Sequence, residues 1–174
     1  MNSEGALALR AWQAIPMDSL LSLLEESTRL WRNEIGEIGE SAILWRPFPK
    51  GHSIGGIMLH MADEESLCVE EVIGQGQRTA ETRELLKSDF SPHKGPIWPD
   101  PEPWPLYRYY EIQNWVRANT VRTLQNIADT SAPVSHPHLG EIPIGMLVLK
   151  LIQHESFHVG EIALHKLHFS LPKP

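Results

Sequence analysis

The placement of proline constrains this 174-residue chain more than any other single feature. Proline lacks a backbone N–H and clashes with the preceding turn, so it interrupts helices and interior strands alike. Pro16 ends a short leading segment whose apolar patch, Ala6 to Trp12, reads as a small helix or arm. Pro47 and Pro49 exclude helix from the next connection, and Pro92, Pro96, Pro99, Pro101 and Pro103 exclude it from most of residues 74–104. Residues 129–143 are again rich in proline. Between these interruptions, apolar residues recur at helical spacing in four stretches. An all-α chain is therefore predicted, with helices near 19–36, 53–73, 105–128 and 144–168 and no sheet of consequence.

Local signals set the ends. Asp18 or Ser19 suits the first N-cap, Ser53 the second, and Pro105 a first helical position, while Gly74 suits a helix end. The stretch Ala80–Lys87 has room for one or two turns inside the long 74–104 connection. A connection of that length can carry the chain back to the opposite end of a bundle. The expected architecture is a single domain over residues 1–174, a four-helix bundle in up-down-down-up order with its long crossover between helices 2 and 3. Trp98 and Trp104 read as anchors that pin the crossover.

Charge and cysteine content narrow the partners. A net charge of −7, with no run of basic residues, argues against nucleic acid and anionic membrane surfaces. The single cysteine, Cys68, allows no internal disulfide and fits a reducing cytoplasm. No basic-then-apolar leader is present, nor an apolar run of the roughly 18 residues that a membrane span needs. A soluble cytoplasmic protein is expected.

The chemistry lies in two helical stripes. The last helix carries Ile144, Leu147, Leu151, His154, His158, Ile162 and His165 on its apolar side. Residues four apart share a helix face, so His154 and His158 stack one turn apart within that stripe. Buried imidazoles need partners, and one divalent metal can satisfy both. The second helix carries Ile57, His60, Met61, Glu64, Leu67 and Cys68. His60 and Glu64 stand there where leucine would be expected. A hydrogen-bonded core histidine is the plainer account of His60, but a carboxylate one turn away suits a metal ligand's surroundings.

His154-Glu155-Ser156-Phe157-His158 also matches the H-E-x-x-H pattern of zinc peptidases, in which Glu155 would be the general base. The longer peptidase pattern fails, because Glu161 and Leu164 stand where it needs glycine and histidine. Only 16 residues follow His158, too few for a later helix with a ligand glutamate. A third ligand must lie upstream, and His60 is the best candidate. Glu155 points about 100° away from His154 around the helix, outward or toward a neighbouring helix. His136 and His138 lack a third ligand nearby and read as loop residues.

Two segments together resemble the DinB family: Gly51-His52-Ser53-Ile54-Gly55-Gly56-Ile57-Met58-Leu59-His60, and His154-Glu155-Ser156-Phe157-His158-Val159-Gly160-Glu161-Ile162. Glu161 stands where glutamine is commoner. The resemblance implies a four-helix bundle, often dimeric, with a three-histidine divalent metal site formed by His60, His154 and His158. It also implies a thiol-dependent transferase or isomerase using a low-molecular-weight thiol. Zinc and nickel suit imidazole ligands, and iron or manganese are admissible. Glu64 is the candidate catalytic proton acceptor. The competing classes are a metal-dependent hydrolase and a non-catalytic metal-stabilised bundle. The roles of His52, His93, His136 and His138 stay open.

Overall fold

A computed structural model of the protein describes residues 15–86 and 101–170. The expected leading helix, Trp98 and His93 lie outside those residues. Among the described residues the chain is mostly helical, with a small two-stranded sheet.

Helix α1 spans Met17–Ile35 and starts earlier than the side-chain signals suggest. Its cap is Pro16, whose carbonyl accepts from the N–H groups of Ser19 and Leu20. Asp18 lies in the first turn instead, where its charge suits the helix dipole. Gly36 ends the helix at φ +58, a left-handed conformation that favours glycine. A short helix α2, Glu40–Leu44, follows where none was expected, and buries Ala42 and Ile43.

Helix α3, Ile54–Ser66, begins as the sequence indicates, with Ser53 Oγ accepting from Gly56 N–H at 3.2 Å. Its first turn lies close against its neighbours. A Cβ added at Gly55 would sit 2.9 Å from Tyr109 Oη, so only glycine fits that approach. The helix continues as a wider π-helical segment, Leu67–Ile73, ended by the bond from Gly74 N–H to Val69 O. A Cβ at Gly74 would meet Glu70 O at 2.8 Å, which accounts for glycine at that end. Helix α4, Ala80–Leu86, fills the stretch predicted to make a turn or two. Just before it, buried Arg78 pairs with Asp63 and with Glu71, tying the connection to α3.

Helix α5 spans Leu106–Leu124, with Pro105 as its cap rather than its first residue, and ends short of residue 128. Residues 129–143 hold more order than an irregular connection. Strands β1, Pro133–His136, and β2, Gly140–Pro143, pair antiparallel with Val134 opposite Ile142. The two prolines face each other at the hairpin's outer end, where a missing N–H costs little. Val134, His136 and Ile142 turn inward. Helix α6, Ile144–Ser170, follows directly and is the longest element at 27 residues.

Helix α6 packs along α1 and α3, and α3 also packs along α5. Two apolar clusters result. One gathers Trp31, Ile35, Ile57, Met58, Tyr109, Ile112 and Ile162; the other gathers Leu20, Val69, Leu124, Val134, Leu147 and Leu151. Each long helix also buries polar side chains, among them Ser27, His60, Asp63, Glu65, Thr120, Glu155 and His158. Among the described residues, no helix is long and apolar enough to cross a membrane.

Candidate metal centre

Helix α3 contributes His60 to the candidate centre, and α6 contributes His154 and His158. The Nε2 atoms of His60 and His154 are 2.9 Å apart, and those of His154 and His158 are 3.1 Å apart. Ring nitrogens able to ligate an ion all lie within 4.8 Å of one another across the three residues. His60 and His158 are buried, and His154 is partly so. The structure thus brings together the three histidines singled out in the sequence, across 94 residues of chain between His60 and His154.

Glu161 Oε2 lies 2.9 Å from His158 Nδ1. An ionised carboxylate only accepts, so Nδ1 carries a hydrogen and Nε2 is the nitrogen turned into the cluster. Burial, and then the neighbouring His158, push His154 down to about 4, so its imidazole is neutral at pH 7. A neutral ring has one N–H, and His154 Nε2 faces two other nitrogens. Three ring nitrogens thus face one another across the cluster. A divalent cation accepts lone pairs from all three rings, and the set fits one. Glu161 supplies the outer carboxylate that such a ligand usually has. Burial raises its pKa, but the hydrogen bond and charge of His158, with His165 and His52 behind it, outweigh that and keep it below the ordinary value.

Glu64, one turn after His60, is half-buried, and its Oε1 is buried without a hydrogen-bond partner. Burial raises its pKa, Asp63 adds to that, and Arg78, His138 and His158 partly offset it. A carboxyl whose burial raises its pKa is suited to taking up a proton.

Glu155 takes no part. It is buried and turned toward α5, where Arg117 Nη2 donates to its Oε1 at 2.5 Å. The same guanidinium donates to Glu65 at 2.7 and 3.0 Å, and to Leu24 O and Thr28 Oγ1 of α1. One arginine thereby braces α1, α3, α5 and α6. With its carboxylate held there, Glu155 is no general base, and the peptidase pattern is coincidental. Sequence reasoning missed Arg117, although it sits four residues after Gln113 and three before Thr120, both buried.

The remaining candidates separate cleanly. His136 Nδ1 accepts from the N–H groups of His138 and Leu139, both at 3.2 Å, so its hydrogen is on Nε2, 3.9 Å from Cys68 Sγ. That tautomer cannot take a proton from the thiol. Burial, with Glu64 and Glu65 adding to it, pushes Cys68 up to about 12. The pair is structural rather than nucleophilic. His138 is exposed in the hairpin turn. His52 Nδ1 lies 3.8 Å from Glu161 Oε1, beside the centre but outside the cluster.

No curated protein matches the chain at a significant level. A family model described as the DinB superfamily matches residues 23–162, a span that contains all three histidines.

Proposed function

The chain belongs to the DinB superfamily, and on that premise we propose that it is a divalent-metal enzyme in which His60, His154 and His158 hold the ion. The observation that carries the reading is the convergence of ring nitrogens from three largely buried histidines, of which His154 is neutral at pH 7. Zinc or nickel is the proposed occupant, since both favour imidazole. When bound, the ion supplies Lewis-acid activation of a thiol or a water for attack on a small electrophile. The chain's own residues do the rest. Glu161 fixes the tautomer and orientation of His158. Glu64 receives the proton released by the nucleophile, its unpartnered Oε1 leaving an acceptor site free.

The four long helices form a bundle in up-down-down-up order on this reading, supported by the packing of α6 on α1 and α3, and of α3 on α5. A homodimer is proposed as well, supported by exposed Leu23 and Leu30 on α1, and sedimentation giving only monomer at micromolar concentration removes it. Buried Cys68 suits the reducing cytoplasm as the compartment.

Bound metal per chain after dialysis against a weak chelator tests the site. Wild type should retain about one ion and His60→Ala almost none, because losing a ligand exceeds the ~10–100-fold cost of losing an outer partner. Undiminished metal in His60→Ala overturns the site. On the loaded protein, turnover of an electrophile only when thiol is supplied supports the transferase, and hydrolysis without thiol replaces it with a hydrolase.

A further inference from the structure

The turn before α3 and the last turns of α6 enclose an open cavity of about 420 Å³ beside the candidate centre. One wall is apolar, made by Pro47, Phe48 and Leu164. Phe48 and Leu164 are 61% and 59% exposed, leaving hydrocarbon surface that a ligand can cover. The other wall carries Lys50, His52, His165 and His168, with Glu161 as its one acid. That acid is already engaged, through Oε2 with His158 Nδ1 at 2.9 Å and through Oε1 with His52 Nδ1 at 3.8 Å. His165 faces two carbonyls, Glu161 O at 2.7 Å from Nδ1 and His52 O at 2.8 Å from Nε2. These two carbonyls fix the ring between α6 and the turn before α3, and Lys50 is the cation of this wall.

We propose that this cavity binds a small organic carboxylate, its hydrocarbon against Phe48 and Leu164 and its carboxylate toward Lys50 and His52. The cavity and its charges carry this inference without any ion. That the ligand is the acidic arm of the substrate, one side chain away from His158 through Glu161, rests on the metal-enzyme reading above. The site's position explains why cationic and apolar side chains share an open turn that the packing of the core does not require.

The probe is 3-phenylpropionate, titrated into the full-length ¹⁵N-labelled protein, once with one equivalent of zinc and once after chelation. Amide shifts should centre on residues 47–52 and 161–168 in both forms, with affinity of about millimolar order for a fragment of this size. The neutral 3-phenylpropan-1-ol should bind about tenfold more weakly, having lost the ionic hydrogen bond. Lys50→Gln should weaken the acid by about three- to tenfold and leave the alcohol unchanged. Leu164→Glu, at an exposed position the fold tolerates, should abolish binding of the acid. Equal affinity for acid and alcohol, shifts centred elsewhere, no binding, or no change in either variant overturns the proposal. Binding that disappears on chelation also overturns it, since the probe then sits on the ion. Failure of zinc to bind at all removes only the metal reading.

Discussion

His154 and Glu155 are neighbours in the chain and belong to two buried polar clusters of opposite character. His154, kept neutral at pH 7 by burial, turns into a group of three imidazoles whose ring nitrogens converge. Glu155 turns into a group of two carboxylates around one guanidinium, where every nitrogen of Arg117 has a partner. The second cluster holds its own cation, although Glu155 Oε2 is buried there without a hydrogen-bond partner, whereas the first groups three imidazoles that fit a divalent ion. An internal counter-charge, more than burial or polarity, separates the structural polar cluster from the candidate site. Burial pulls Arg117 toward losing its charge, yet Glu65 and Glu155 more than offset that and raise its pKa.

The largest expected effect tests the cluster around Arg117. Arg117→Met leaves two buried carboxylates without a cation and should cost about 3–5 kcal/mol in urea unfolding. A loss below about 1 kcal/mol would mean that the brace is ornamental and the comparison is wrong. Next comes the pH dependence of the histidine cluster in chelator-treated protein. His154 is held down to about 4 in the fold, against 6.5 as its ordinary value, with burial as the main cause. The folded value is the lower one, so the unfolded chain takes up the proton first as pH falls. Stability should therefore drop between about pH 6.5 and 4, by up to about 3 kcal/mol at 1.36 kcal/mol per unit. The same slope in His154→Ala would refute this source.

Smaller effects sharpen the boundary between the clusters. Glu161→Ala should weaken metal affinity by ~10–100-fold in competition with a chelator, and Glu161→Gln by less, because an amide oxygen still accepts from His158. Equal affinity in all three proteins would remove Glu161 from the centre. Glu155→Gln should change stability by no more than about 1 kcal/mol and leave metal content alone, since Arg117 keeps its two bonds to Glu65. Loss of metal in that variant would mean that the two clusters are one.

Much of this was legible beforehand, for local reasons. Ser53 and Gly74 mark the limits of the helical run that holds His60, because capping and close backbone approach act within one turn. His60, Glu64, His154 and His158 stood out as polar residues at apolar positions. The hairpin at 133–143 was hidden, since four-residue strands that each hold a terminal proline carry almost no periodic signal. The π-helical segment was hidden too, because its wider turn depends on what packs against it.

What the sequence determined by itself was therefore the four long helices and the faces that carry His60, His154 and His158, since both follow from spacing along a single helix. It also placed Glu155 off the histidine face, by rotation alone. Only the tertiary structure decided what each polar residue meets. His60 reaches His154 across 94 residues, and Arg117 reaches Glu65 across 52 and Glu155 across 38. Such distances are set by how apolar side chains from distant segments fill the space between helices, and no local pattern encodes them.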